Sequence, residues 1–265
     1  MIRVLKAMPT LLRVGVAETV AYRAEFIVWV LTTTQPLIMM SLMTFITRTG
    51  SFGPYDANQF VAYYLATLIV RQLTGNWIAW QMMEEIRMGT LAMRLLRPIH
   101  PFFAYLASQA AAIPFRGVIA VPLAVILLVT SGAQTLPHDV LQIALVPISI
   151  LLAWLVTFGI MYALGCTAFY LTQATGLGDI YFGMFSLFSG YLLPLDIMPR
   201  PIAMLADYLP FKSMMYIPLQ LMTRTQTLAS CLHLLGEQAI WFVIASALAL
   251  FAWNRGIKRF ESVGT

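Results

Sequence analysis

Charge is what this sequence has least of. Only 10% of its 265 residues are charged, whereas 60% are hydrophobic, and the mean hydropathy is +0.81. A soluble domain carries about a quarter charged residues. This chain cannot cover its surface with polar groups, which excludes an ordinary water-soluble protein. We therefore expect an integral membrane protein, with one membrane domain over residues 1–265.

Cysteine is also scarce. Cys166 and Cys231 lie far apart in the sequence and without the spacing of metal ligands, so no metal site is expected. We interpret both as packing residues, with a disulfide as the weaker alternative. The basic residues form no long cluster with interleaved aromatics, so the net charge of +5 does not indicate nucleic-acid binding. No cleavable signal peptide is expected, because the first apolar run begins only near Phe26 and is long enough to span a membrane.

Nucleotide-binding and catalytic motifs are missing as well. The glycines around Gly50, Gly89 and Gly176 are not followed by the Gly-Lys-Ser/Thr of a P-loop, so any ATP must be used by another polypeptide. Ser189 and His233 are the candidates for a membrane hydrolase. A catalytic pair must meet at hydrogen-bond distance, and nothing in their spacing argues for that. Ordinary packing roles are favoured, and no enzyme activity or bound cofactor is expected.

Long apolar runs, in contrast, are abundant. Because about 20 residues cross a bilayer, six runs predict an all-α polytopic membrane protein with six transmembrane helices, at 26–46, 58–80, 113–132, 140–170, 180–195 and 236–253. The fifth run barely spans. Four prolines follow it in the segment 196–222, which prevents one continuous helix. Short re-entrant or interfacial helices on the outer side are expected there.

Basic residues distinguish the two sides of the membrane. Ten fall on one side: Arg3, Lys6, Arg13, Arg23, Arg87, Arg94, Arg97, Arg255, Lys258 and Arg259. Four fall on the other: Arg48, Arg200, Lys212 and Arg224. The positive-inside rule therefore predicts that both termini are cytoplasmic. Residues 1–23 combine an apolar and a basic helical face, which predicts a helix that lies in the membrane interface against lipid.

A charged patch, residues 81–101, separates the second and third apolar runs. Its stretch IRMGTLAMRLLRP would place one apolar and one basic face on a helix, with Met88, Leu91 and Leu95 on the first and Arg87, Arg94 and Arg97 on the second. Gly89 weakens a continuous helix, so a short helix, a turn and a second helix are predicted. Such a segment lies on anionic lipid or docks a soluble partner, and the pattern leaves both open.

The order of these features resembles a type-2 ABC transporter permease, the membrane subunit of a bacterial ABC exporter. The patch looks like that family's Gly-x-Leu…Leu-Leu-x-Pro coupling segment, and SGYLLPLDIMPRPIAMLADYLPF resembles its segment between spans five and six. The tail GIKRFESVG looks like the end of one bacterial subgroup. The resemblance implies contact with an ATPase at Ile86, Arg87, Met88, Gly89, Leu91, Arg94, Leu95, Arg97 and Pro98. The implied partners are two cytoplasmic ABC ATPase subunits, which would hold ATP and Mg²⁺, and a second permease, identical or paralogous.

A charged residue deep in the second apolar run bears on the transport pathway. Arg71 lies near Asn76, and such a residue faces a cavity or partner, or else snorkels or makes a structural hydrogen bond. By resemblance the second and fifth spans line the path, with Arg71, Asn76, Phe182, Phe185 and Ser189 as candidate contacts. The implied activity is export of a hydrophobic or amphipathic substrate across a bacterial inner membrane by alternating access. An ion-coupled secondary transporter is the alternative, but its internal repeats and intramembrane carboxylates are not found.

Overall fold

Helices make up most of the described chain. The computed structural model describes residues 2–21, 34–118, 120–131, 137, 139–171 and 174–260. The helices of the first half are α1 (Ile2–Ala21), α2 (Thr34–Ile46), α3 (Ala57–Thr74), α4 (Ile78–Arg87), α5 (Leu91–Leu95), α6 (Pro101–Gly117) and α7 (Ala120–Ser131). Those of the second half are α8 (Val140–Gly165), α9 (Thr175–Phe188), α10 (Arg200–Asp207), α11 (Phe211–Met214), α12 (Tyr216–Thr223) and α13 (Leu228–Gly256). The predicted all-α class is thus confirmed for the described residues.

Among the described residues, two helices are long and apolar enough to cross a membrane. They are α8, extended by a 3₁₀ turn to Phe169, and α13, extended in the same way to Arg259. These helices pack against each other at the centre of the fold. A Cβ placed on Gly159 would lie 3.0 Å from the Cβ of Ala245, so glycine is what allows the two backbones to approach so closely.

The ends of the helices differ from those of the predicted spans. The length of an apolar run reflects the thickness of the hydrocarbon layer, whereas capping residues determine where a helix begins. The third span was expected from residue 113, but α6 begins at Pro101, where the imidazole of His100 accepts a hydrogen bond from the Phe102 N–H. The sixth was expected from residue 236, but α13 begins at Leu228, capped by Thr227. Conversely, α9 ends at Phe188, before the predicted residue 195. The first predicted span is described only from Thr34.

The second predicted span, 58–80, is two helices and not one. A capping box between Asp56 and Gln59 starts α3, which ends at Thr74. The backbone of Gly75 is then extended, and α4 begins three residues later at Ile78. A Cβ on Gly75 would come within 2.9 Å of the Arg71 carbonyl oxygen, so the chain leaves the helix at a position where only glycine fits. We refer to residues 75–77 as the helix break.

The proline-rich segment forms three short helices, as predicted, in α10, α11 and α12. Two glutamines fix the last two to the central pair. Gln238 of α13 donates to the Ser213 carbonyl at 2.9 Å, and Gln142 of α8 donates to the Leu221 carbonyl at 2.8 Å. Both amides are fully or almost fully buried, so these hydrogen bonds satisfy groups that would otherwise be costly to bury. Their depth in the membrane stays a prediction.

The N-terminal segment is helical, as expected, and it packs along α6. Gly15 makes the closest approach, since a Cβ there would lie 2.9 Å from the Cα of Ser108. Leu12 and Val16 are exposed. This exposed apolar surface is what a helix lying against lipid would present, but the interfacial location itself stays a prediction.

Candidate functional site

The charged patch folds as two short helices joined by a turn. Helix α4 ends at Arg87, and Gly89 has φ +72°, a left-handed conformation that favours glycine. Helix α5 then runs in a new direction. The predicted helix, turn and second helix are therefore confirmed. We call residues 78–98 the hairpin.

The prediction of an apolar ridge on the hairpin is wrong at Leu91. Leu91 is fully buried in the core of its own chain, in a cluster with Met82 and Tyr105, whereas Met88 is 61% and Leu95 39% exposed. The turn at Gly89 rotates α5 relative to α4, so residues in phase on one continuous helix do not share a face here. The large apolar residues that do reach the surface are Met88, Met93, Leu95 and Leu96. We call these four the apolar tip.

Arginines of the hairpin have different surroundings. Arg94 makes a two-pronged ion pair with Glu85, with Nε and Nη2 at 2.6 and 2.7 Å from the two carboxylate oxygens. The hydroxyl of Tyr105 donates to the same carboxylate, and the guanidinium of Arg94 lies over the Tyr105 ring. Arg87 pairs with Glu84 in the open, with both side chains about 60% exposed. Arg94 is thus held inside its own chain, while Arg87, Arg97 and Pro98 face outward and Ile86 is buried.

Hydrogen bonds connect the hairpin to the helix break. The side-chain amide of Gln81 donates to the Glu85 carboxylate at 3.1 Å, and the side-chain amide of Gln109 donates to Gln81 at 3.2 Å. Gln109 accepts from Arg116 at 2.8 Å, and Arg116 donates to the carbonyl oxygen of Gly75. We call this series the polar chain. Gln109 also accepts from the Trp77 N–H, so the backbone of the break is held at two points by side chains of α6.

A small cavity lies beside the helix break, against α8 and α9. It is lined by four of the five predicted substrate contacts together with two tryptophans: Arg71, Asn76, Phe182, Phe185, Trp77 and Trp80. Its volume is about 20 Å³, room for about one water molecule in this conformation. The structure therefore brings these residues to one place, and their contact with substrate stays a prediction.

The remaining candidate, Ser189, is fully buried at the end of α9, where its Oγ accepts a hydrogen bond from the Tyr191 N–H. It does not line this cavity. His233 is exposed, and no hydrogen bond joins it to Ser189 within the described ranges. Nothing in this geometry favours the hydrolase alternative.

An ion-pair cluster that the sequence did not predict lies at the opposite end of α3 from the hairpin. Asp196 accepts from the hydroxyls of Tyr55 and Tyr216 at 2.8 and 2.5 Å, and it pairs with Arg224. Burial raises the pKa of the Tyr55 hydroxyl, with Asp196 adding to the rise and Arg224 opposing it, so Tyr55 stays protonated and donates. The cluster joins the start of α3 to the segments before α10 and after α12.

The turn after α9 is fixed by two tyrosines of α3. Tyr63 donates to the Gly190 carbonyl at 2.5 Å, and Tyr64 donates to the Leu192 carbonyl at 3.0 Å. Gly190 has φ +77°, and a Cβ there would lie 2.7 Å from both Tyr63 and Tyr216. Only glycine fits this turn, which holds the end of α9 against α3 and so fixes one wall of the cavity.

The sequence matches a known protein family. A family model described as "ABC-2 family transporter protein" matches residues 31–264, which is most of the chain and includes the hairpin, the helix break and α9. No curated protein matches the sequence.

Proposed function

This chain belongs to the ABC-2 family of transporter proteins, and from that membership we propose that it is the permease subunit of an ATP-driven exporter. Permeases of this family work with ABC ATPase subunits. The proposed assembly holds two permeases, identical or paralogous, and two ATPases that bind ATP and Mg²⁺. It moves a hydrophobic or amphipathic substrate out of a bacterial cytoplasm by alternating access, and both termini of the permease face the cytoplasm.

The hairpin is the observation that carries this proposal. The four large apolar side chains of the apolar tip are all exposed, in a short segment that also carries the exposed Arg87 and Arg97. An exposed apolar patch bordered by charge is typical of a protein interface. The hairpin lies within the matched residues 31–264, and its sequence resembles the coupling segment of such permeases, so the ATPase is the partner that we assign to the apolar tip.

The polar chain supports a transmission role for the hairpin. A surface that only rested on lipid would need no buried ion pair behind it. Here Arg94 and Glu85 fix α5 to α4, and hydrogen bonds through Gln81, Gln109 and Arg116 extend to the helix break. Movement of the apolar tip on ATP binding would therefore displace the backbone of Gly75, next to the cavity. This is the step by which we propose that ATP energy reaches the transport pathway.

Co-purification with the cognate ATPase tests the proposal. The wild-type chain should retain the ATPase and should hydrolyse no ATP by itself. Met93→Asp and Leu96→Asp should weaken the association about 30-fold or more, because a central interface anchor contributes ~2 kcal/mol or more. The matched control is Met204→Asp on α10, since Met204 is 59% exposed and Met93 67%.

Three results would contradict this account. One is full ATPase retention by both hairpin variants, which would favour the alternative that the apolar tip lies against lipid. Another is equal loss in the Met204→Asp control. The third is ion-gradient-driven transport by the chain without any ATPase, which would favour a secondary transporter.

A further inference from the structure

Arg71 has an aromatic environment that does not neutralise its charge. The guanidinium carbon lies 5.3 Å from the ring centre of Phe185 and 5.6 Å from that of Tyr191. Ring faces attract a cation, but they carry no net negative charge. No carboxylate of the described residues lies within ion-pair distance of Arg71. A positive charge within an apolar run is costly, and it marks a place where a negative charge of a ligand is favourable.

Asn76 supplies a second, independent sign of a ligand. It is only 5% exposed, and neither its amide nitrogen nor its amide oxygen has a hydrogen-bond partner among the described residues. Leaving a buried polar group unpaired costs about 1–3 kcal/mol for each group. Asn76 lies in the helix break and lines the same cavity as Arg71. Its N–H₂ can donate to an oxyanion that is also bound by Arg71.

The remaining wall is mostly apolar, with hydroxyl groups only on Thr157 and Tyr181. Trp77 and Trp80 contact each other with their ring centres 4.9 Å apart, and Phe182, which also lines the cavity, is 43% exposed. A ligand that fits both parts of the site is an amphiphile whose anionic headgroup lies toward Arg71 and whose hydrocarbon part extends past the tryptophans. With its volume of about 20 Å³ the cavity must widen to admit a headgroup.

We propose that this cavity binds the anionic headgroup of an amphipathic substrate, a phosphate, sulfate or carboxylate, through Arg71 and Asn76. The inference rests on the proposed function, because it names the substrate class of the permease. It is narrower than that function: an ABC exporter of neutral or cationic compounds would satisfy the proposed function and contradict this assignment.

Quenching of tryptophan fluorescence tests the assignment. The full chain is placed in phosphatidylcholine nanodiscs and titrated with 6-bromohexyl phosphate, whose bromine quenches nearby tryptophans, or with 6-bromohexyltrimethylammonium. The anionic probe should quench saturably and the cationic probe should not. Arg71→Gln should raise the apparent Kd for the anionic probe at least about tenfold, since a charge-assisted contact is lost. Asn76→Ala should raise it by a smaller factor.

The control is Arg48→Gln. Arg48 also lies over an aromatic ring, that of Phe45 at 5.4 Å, but it does not line the cavity, so its removal should leave the Kd within about twofold. Equal saturable quenching by both probes, or an unchanged Kd in Arg71→Gln, would overturn the proposal. Inorganic phosphate should compete only weakly. Competition at the same concentration as the alkyl probe would show a site for a free anion and overturn the amphiphile assignment.

ATPase co-purification separates this outcome from that of the proposed function. If the wild-type chain does not distinguish the anionic from the cationic probe but still co-purifies with the ATPase, only the proposed substrate class is refuted. Stimulation of ATP hydrolysis by hexyl phosphate in the wild-type complex, absent in Arg71→Gln, would identify the bound amphiphile as a transported substrate. A bound anionic lipid of the membrane would leave hydrolysis unchanged, which would contradict the substrate assignment.

Discussion

Replacing Arg94 by alanine should destabilise the protein far more than the same change at Arg87. Both arginines belong to the hairpin and both pair with a glutamate. The Arg94 and Glu85 side chains are only 14% and 17% exposed, whereas those of Arg87 and Glu84 are 62% and 58% exposed. Removing one partner of a buried pair costs about 3–5 kcal/mol, because the other charge stays behind uncompensated. An exposed pair contributes about 0–1 kcal/mol.

The partial exposure of the Arg94 pair puts the expected loss near the lower end, ~3 kcal/mol. For a chain of this size that corresponds to a fall of about 6–12 °C in the midpoint of thermal unfolding. Arg87→Ala should change the midpoint by only ~2 °C. The assay is the thermal unfolding of purified protein in one detergent, followed by the loss of the monodisperse peak in size-exclusion chromatography.

The double variant Glu85→Gln, Arg94→Gln identifies the cause. It removes both charges together, so no buried charge is left alone, and it should be more stable than Arg94→Ala. If Arg94→Ala and Arg87→Ala have the same midpoint, the ion pair does not fix the hairpin, and the transmission role of the polar chain loses its support. A double variant less stable than Arg94→Ala would likewise contradict the reasoning.

Two further predictions concern the turn after α9 and the start of α6. Gly190→Ala should lower the midpoint of thermal unfolding by several degrees, because φ is +77° and the added Cβ would lie 2.7 Å from Tyr216. Gly183→Ala should not lower it, since a Cβ there meets no described residue within 4 Å, and equal effects of the two changes would refute this. Burial lowers the pKa of His100. The neutral imidazole therefore contributes fully to the stability of the folded protein above about pH 6.5, and this contribution is lost as the pH falls through the lowered pKa. His100→Asn, which can still cap α6, should reduce the difference between the midpoints at pH 8 and pH 5.5, and an unchanged difference would contradict this role.

Composition predicted the class of the fold, because that class depends on the balance of charged and apolar residues, which a sequence reports directly. Few charges and many long apolar runs require a chain that is helical in lipid. The hairpin was also predictable, since Gly89 interrupts a helical pattern with charge on both sides. The ends of the helices were less predictable. Helix α6 begins at Pro101 because His100 caps it, and the hydropathy of the sequence does not reveal a single capping residue.

Contacts between distant residues were not predictable from one sequence. Glu85 and Arg94 are nine residues apart, but only the turn at Gly89 brings them together. Asp196 and Arg224 meet because three short helices return the chain to α3. The ridge prediction failed for the same reason: its faces were those of one continuous helix, although a turn was predicted at Gly89, and that turn placed Leu91 inside the fold. Arg71 and Asn76 were identified by their polarity in an apolar run, while the helix break that contains Asn76 carries only the weak signal of Gly75.

Site-specific photocrosslinking tests the central claim, that the apolar tip docks a cytoplasmic ABC ATPase. The photoreactive residue p-benzoylphenylalanine is introduced in place of Met93, or in place of the similarly exposed Met204 as a control, and cells that also express the cognate ATPase are irradiated. The account predicts a covalent adduct of permease and ATPase from the Met93 position and none from the Met204 position. An adduct from Met204 alone, or none from Met93 while the two proteins still co-purify, would contradict it.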